Sequence, residues 1–235
     1  MKFGIISLPD SDRVEYKKAI REHVHYPELP LPAFDARAYN PVDAIETKGL
    51  ELKHWNAKLG ELGVWLSNYD RWRQAAEHGP LIVFEDDAIV DETFTSKFEE
   101  FMSELPEHWD FAALWVPENQ LQDYLYDADH TEDGVLRVNG YKTADDSIYK
   151  IPGNLMASLV YQGYGMVSLV YSRKGGQRLV ELAHERGING PVDCWIYEQA
   201  HRGAAKGYAP LPIAADIVGY DWAAPSHVQL TERAL

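Results

Sequence analysis

The sequence predicts an α/β fold. Short apolar runs alternate along the chain with stretches of helical periodicity. The run Leu-Ile-Val-Phe at 81–84 is apolar at every position, as a strand covered on both faces of a sheet requires. Gly, Pro and Ser punctuate the junctions where one period gives way to the other.

Taken in order, residues 3–8 read as a first strand. Pro9-Asp10-Ser11-Asp12 turns the chain and offers an N-cap to a helix over 13–24. Pro27, Pro30 and Pro32 keep residues 26–40 extended. Leu62, Trp65, Leu66, Tyr69, Trp72 and Ala76 fall on one helical face, and Gly79-Pro80 stops that helix. Trp65, Tyr69 and Trp72 share this apolar stripe, which assigns them to the core rather than to a ligand platform. The apolar strand follows at once. Phe94, Phe98, Phe101, Met102 and Leu105 mark another amphipathic helix, closed by Pro106. Residues 110–116 and 166–171 read as further strands. Between them, 117–150 lacks periodicity and reads as a long loop with one hairpin. Ser172 caps a helix over 174–186, and short extended pieces follow Gly207. With no repeat and no linker, residues 1–235 read as a single domain.

Composition narrows the function. A chain of 235 residues with 46% hydrophobic and 25% charged residues buries a sizeable core. No apolar run is long enough to span a bilayer. The opening Met1-Lys2-Phe3-Gly4-Ile5-Ile6-Ser7-Leu8-Pro9 is too short and too soon broken for a signal peptide. Cys194 is the one cysteine, so an internal disulfide is excluded and a reducing, cytoplasmic setting is expected. The formal net charge of −15, with no Lys/Arg cluster, disfavours nucleic acid and anionic membrane surfaces.

Chemistry concentrates where the 81–84 strand stops, at Glu85-Asp86-Asp87. Adjacent carboxylates repel one another and resist desolvation unless a cation or hydrogen-bond donors neutralise them. Hard oxygens at a strand's C-terminal end suit Mg²⁺ or Mn²⁺, which commonly also hold a substrate phosphate. A solvated acidic turn is the alternative reading.

Gly60-Glu61-Leu62-Gly63-Val64-Trp65-Leu66-Ser67-Asn68-Tyr69, followed by the strand ending in Glu85-Asp86-Asp87, resembles glycosyltransferase family 25. That family carries a Gly-Glu-Ile-Gly-x-x-Leu-Ser-His helix before a Leu-Glu-Asp-Asp strand end. Ile5-Ile6-Ser7-Leu8 with Ser11-Asp12-Arg13 is similar to its opening, and Pro32-Ala33-Phe34-Asp35-Ala36 to its Pro-Ala-x-Asp-Gly segment. Tyr171-Ser172-Arg173-Lys174-Gly175 and Pro191-Val192-Asp193 are similar to its Ser-Arg-x-Gly helix start and Pro-Val-Asp turn. Asn68 stands where the family has His, and Ala36 where it has Gly.

The resemblance implies a GT-A-like nucleotide-sugar-binding fold, with a central mostly parallel sheet flanked by helices. It also implies a metal-dependent, inverting hexosyltransferase that moves galactose or glucose from a UDP-sugar to a hydroxyl on a glycan, a protein or another acceptor. Glu85 and Asp86 are then donor ligands, and Asp86 and Asp87 hold Mn²⁺ or Mg²⁺. Strand alternation sets Glu85 and Asp87 on one face and Asp86 on the other, unless a loop begins at Asp86. His227 either completes the metal site or is an exposed tail residue. Asp193 is either the base that deprotonates the acceptor or the cap of a helix over 194–200. Glu198 and Glu118 are secondary candidates for the base.

The nucleotide is expected across the C-terminal ends of the strands, where Leu8, Arg13 and Asp35 lie. Arg13 either binds phosphate or base or is a solvated helix charge. Asp35 suits a ribose hydroxyl or a uracil N–H. Glu61 and Ser67 belong to the donor side, although Glu61 also suits the positive end of a helix. Tyr161, Gly163, Tyr164 and Gly165 line a sugar pocket or form a turn. Asp123, Asp127, Asp129, Glu132 and Asp133 read as a solvated loop or an acceptor-binding lid. Two rival functions are a divalent-metal phosphohydrolase, for which no further ligand set assembles, and a non-catalytic carbohydrate-binding protein, which Glu85-Asp86-Asp87 and Asp193 argue against.

Overall fold

The apolar run at 81–84 becomes the second strand of an eight-stranded sheet. The computed structural model describes residues 1–30, 32–115, 128–130, 136–138, 156–158, 166–210 and 217–220. Strand β1 (Lys2–Ile6) lies parallel to β2 (Leu81–Glu85), with Lys2 opposite Leu81 and Ile6 opposite Glu85. The sheet continues through β8 (Ser168–Tyr171), β4 (Phe111–Ala113) and β9 (Gly207–Pro210). Beyond these lie β7 (Met156–Ser158), β6 (Leu136–Val138) and β5 (Ala128–His130). Strands β1, β2, β4 and β9 share one direction, and β8 runs against its neighbours β2 and β4. The body of the sheet is therefore mostly parallel, as expected, with one antiparallel strand inserted. Strands β5 and β6 pair antiparallel, as the hairpin expected within 117–150 would. A separate two-stranded ribbon joins β3 (Ala88–Ile89) to β10 (Gly219–Tyr220).

Helices cover both faces. They are α1 (Val14–His23), α2 (Pro41–Thr47), α3 (Leu59–His78), α4 (Phe94–Glu104), α5 (Arg173–Arg186) and α6 (Val192–His201). Side chains of β2 alternate between two cores. Leu81 and Val83 join Leu62, Trp65, Trp72, Leu179 and Trp195 on the α3, α5 and α6 side. Ile82 and Phe84 join Ile20, Phe94 and Phe98 on the α1 and α4 side. Each fully buried side chain of this size contributes about 1.5–3 kcal/mol, so desolvation on both faces fixes the register on which the strand ends depend. Trp65, Tyr69 and Trp72 are core residues, as their shared stripe predicts. The indole of Trp195 stacks on Trp72 at 5.4 Å and meets the edge of Trp65 at 5.5 Å, binding α6 to α3. No described helix is long and apolar enough to cross a membrane.

Boundaries follow local chemistry. Ser172 caps α5, its hydroxyl accepting from the Gly175 N–H at 2.8 Å and donating to the Trp109 carbonyl. Helix α2 lies in a stretch for which no helix is expected from the sequence. Asn40 caps it by accepting from Val42 N, and Pro41 sits in its first turn. Helix α6 starts at Val192, two residues before the expected position, which places Asp193 inside its first turn rather than at the cap. Arg71 of α3 is buried and donates to the carbonyls of Ile5 at 2.6 Å and Leu29 at 3.0 Å, clamping the end of β1. Burial pulls its pKa down to about 10, so it stays charged at neutral pH.

Helices α3 and α5 pack closely because α5 opens with two glycines. A Cβ on Gly176 would lie 2.5 Å from the Trp72 carbonyl and 2.7 Å from Ala76 N, and one on Gly175 would collide with the Asp110 carbonyl. Backbone cannot yield there as a flexible side chain would. Gly176→Ala is expected to destabilise the protein by about 2 kcal/mol or more, read as a lower urea midpoint. An unchanged midpoint would show that the two helices are free to part.

Candidate active site

Two loops leave adjacent strand ends side by side. Ile6 is opposite Glu85 in the sheet, so the loop after β1 and the acidic turn after β2 emerge on the same edge. Asp86 and Asp87 form a two-residue turn between β2 and β3. Pleating therefore ends at Glu85, and alternation no longer sends the two aspartates to opposite faces. Both reach a single nitrogen: Arg13 Nη1 lies 2.9 Å from Asp86 Oδ1 and 2.6 Å from Asp87 Oδ2. Arg13 is 8% exposed, Asp86 7% and Asp87 5%, so the ion pairs are sealed from solvent. Arg13 is thus neither a solvated helix charge nor an open phosphate ligand.

Hydroxyls complete the network. Ser7 Oγ and Ser11 Oγ donate to Asp86 Oδ2 at 2.8 and 2.6 Å. Lys17 Nζ, one turn into α1, donates to Ser7 Oγ at 3.3 Å and to the Ser11 carbonyl at 3.1 Å. Both oxygens of Asp86 are therefore occupied. Asp87 Oδ1 differs, being buried with no hydrogen-bond partner among the described residues. Burial lowers the pKa of Arg13, but the charges of Asp87 and Asp86 outweigh that effect and hold it above its ordinary value. The Asp87 carboxyl is raised, because burial exceeds the relief that Arg13 supplies. Glu85, the last residue of β2, is half-buried. Its carboxyl is pushed well above its ordinary value, first by burial and then by the charges of Asp87, Asp193 and Asp86.

Asp193 is thereby part of the same electrostatic neighbourhood. Its Oδ1 accepts from the Cys194 N–H at 2.8 Å, and its position in the first turn of α6 suits a negative charge. Burial, followed by the charge of Asp193, pushes the Cys194 thiol up to about 12 and leaves it an inert thiol.

The other expected residues have definite places. Asp35 is held by Arg37, whose Nε and Nη2 donate to its two oxygens at 2.8 and 2.7 Å. The same guanidinium grips Asp10 through Nη1 and Nη2, joining the β1 loop to the segment carrying Asp35. These hydrogen bonds lower the Asp35 carboxyl below its ordinary range. Glu61 closes a capping box, its carboxylate accepting from Lys58 N at 2.7 Å. Ser67 Oγ donates to the Gly63 carbonyl at 2.7 Å and accepts from Phe34 N at 2.8 Å, so it braces the loop next to Asp35. Leu8 contributes its carbonyl, which receives Ser11 N and closes the turn before α1. Glu198 pairs with Arg202 on α6. Glu118, Tyr161, Gly163, Tyr164, Gly165 and His227 lie outside the described residues, as do Asp123, Asp127, Glu132 and Asp133; Asp129 falls in β5. Ser7, Ser11, Lys17 and Arg37 are site residues that sequence reasoning assigned no role. The one available signal is small hydroxyl residues directly after a strand that ends beside an acidic one.

The three strand-end carboxylates do not converge on one point, and among the described residues no group of three His, Cys, Asp or Glu side chains surrounds a common centre. The donor set still fits one kind of divalent cation. Mg²⁺ and Mn²⁺ are often held by one or two carboxylates, with substrate phosphates and water filling the remaining positions. Asp87, with its unpartnered buried Oδ1, is the residue that would offer such a ligand.

The model of glycosyltransferase family 25 (LPS biosynthesis protein) matches residues 1–196. No curated protein matches the sequence. Among solved structures the chain is similar to A197 from STIV, at 11% identity and TM-score 0.41 over 88% of this chain and 80% of that one. It is also similar to apo mouse xyloside xylosyltransferase 1, at 14% identity and TM-score 0.37 over 87% of this chain and 70% of that one. Likeness at TM-scores below 0.5 is too loose to assign fold or function. The family match is not: it runs from β1 through the acidic turn to Asp193, and the chain therefore belongs to glycosyltransferase family 25 and is a glycosyltransferase.

Proposed function

We propose that this glycosyltransferase moves a hexose, galactose or glucose, from a UDP-sugar to an acceptor hydroxyl with inversion at the anomeric carbon. The observation that supports the reading is the buried Asp87 oxygen just past the end of β2, which has no hydrogen-bond partner among the described residues. It lies two residues from Glu85, whose carboxyl the charge of Asp193 helps to raise. A ligand seated across parallel strand ends suits a nucleotide. Asp87 would hold a divalent cation, which would supply Lewis-acid stabilisation of the charge that develops on the leaving group.

The chain's own groups supply the rest. The acceptor oxygen attacks the anomeric carbon while the bond from that carbon to the diphosphate oxygen breaks. The acceptor proton passes to the Asp193 carboxylate, whose orientation the Cys194 N–H fixes. Burial and the neighbouring charges raise the Glu85 carboxyl, which disfavours a further negative charge beside the departing diphosphate. Ser7 and Ser11 hold Asp86 so that the acidic turn keeps its shape as the diphosphate enters and leaves.

Three outcomes test this reading. With UDP-galactose or UDP-glucose, Mn²⁺ and a sugar acceptor, the enzyme is expected to release UDP. Asp193→Asn is expected to lower kcat by about 10²–10⁴-fold with donor affinity near wild type, and an unchanged kcat would remove Asp193 as the base. Asp87→Asn is expected to weaken UDP binding by about tenfold or more with Mn²⁺ present and to leave it unchanged in EDTA. Equal affinities in both conditions would detach Asp87 from the cation.

A fourth outcome follows from Glu85. Its carboxyl is raised in the fold, so its favourable contribution to stability is complete below the ordinary value near 4.5 and is lost as pH rises through the raised folded value. Glu85→Gln keeps the neutral form at every pH. In EDTA it is expected to be more stable than wild type at pH 8, with the advantage vanishing toward pH 4. A constant difference across that range would show that Glu85 is ionised in the fold.

A further inference from the structure

Arg13 sits where a free cation would otherwise be attracted. Its Nη1 is shared between Asp86 Oδ1 and Asp87 Oδ2, and two hydroxyls fill Asp86 Oδ2. Asp87 Oδ1 is buried and has no hydrogen-bond partner among the described residues. One carboxylate oxygen beside a guanidinium is a poor seat for a hydrated divalent ion. The like charge of Arg13 opposes the ion, and a single protein ligand does little to replace its water. A diphosphate changes both terms, because it brings several oxygens and negative charge of its own.

Building on the proposed UDP-sugar donor, we propose that Arg13 is a positioning residue that makes cation capture conditional on the nucleotide. Its guanidinium offsets part of the charge of the acidic turn in the free enzyme and opposes entry of the bare metal ion. The ion enters with the diphosphate and uses Asp87 Oδ1 as its protein ligand. Asp86 stays with Arg13, Ser7 and Ser11 throughout. Metal and nucleotide are thereby strongly coupled, and linkage requires that each raise the affinity of the other by the same factor.

The test is a titration of the wild-type enzyme with Mn²⁺ followed by electron paramagnetic resonance, which reads the free ion and needs no turnover. Without nucleotide, no saturable binding is expected up to about 1 mM. With saturating UDP, Mn²⁺ is expected to bind about 100-fold more tightly or better. Arg13→Gln keeps hydrogen-bond donors but removes the charge, and is expected to bind Mn²⁺ without UDP about tenfold or more tightly than wild type. Wild-type enzyme that takes Mn²⁺ alone as tightly as with UDP would overturn the role of Arg13 and leave the donor reading intact. A folded Arg13→Gln variant that takes up no more Mn²⁺ than wild type would overturn it as well. Wild-type enzyme that binds neither UDP nor Mn²⁺, singly or together, would remove the donor reading and this proposal with it. Should Arg13→Gln not fold, the wild-type titration alone decides between the first two outcomes.

Discussion

The buried guanidinium of Arg13 is the contact on which the strand-end edge depends. Without it, Asp86 and Asp87 would be two adjacent carboxylates sealed from water at the end of a hydrophobic strand, beside a third at Glu85. Removing one partner of a buried ion pair costs about 3–5 kcal/mol, because the charge left behind has neither water nor counter-ion. The pairing also has a geometric effect. Arg13 stands at the N-cap position of α1, in the loop after β1, whereas the aspartates come from the turn after β2, so the pair joins the two loops at this edge of the sheet.

That edge is rigid because the sheet beneath it is buried on both sides. Leu81 and Val83 pack one way and Ile82 and Phe84 the other, so β2 cannot slip without exposing one set or the other. Arg71 ties the end of β1 to α3. Ser67 ties α3 to the segment holding Asp35, and Arg37 returns from there to Asp10 in the β1 loop. Core and loops thus form one chain of contacts around the strand ends. Arg71 and Ser67 use side chain to backbone bonds, and Arg37 uses ion pairs with Asp35 and Asp10.

Much of this frame was legible in the sequence. The continuous apolar run at 81–84 announced a strand covered on both faces, Gly79-Pro80 ended α3 where expected, and Ser172 capped α5. Helix α2 was hidden by the prolines around it, although Asn40-Pro41 is itself a helix-start signal. The side-chain directions of Asp86 and Asp87 were not legible. Strand alternation applies only while the chain is pleated, and it stops being pleated at Glu85. The burial of Arg13 was not legible either. A cation at the start of a helix is ordinarily solvated, and nothing local to residue 13 reveals that residues 86 and 87, more than seventy positions later, close over it.

The same distinction separates what the family resemblance carries from what it leaves open. Glu61 caps a helix, Gly63 lies against the Phe34 carbonyl, Ser67 braces a loop and Ser172 caps α5. These residues give the sequence its recognisable signature, and their hydrogen bonds serve the scaffold. Asp87 and Asp193 differ in kind. Asp87 has an oxygen with no partner among the described residues, and the charge of Asp193 helps to raise the Glu85 carboxyl. Neither feature serves the scaffold as the caps and braces do, and a ligand that brings compensating charge, as the proposed donor would, is what could use both.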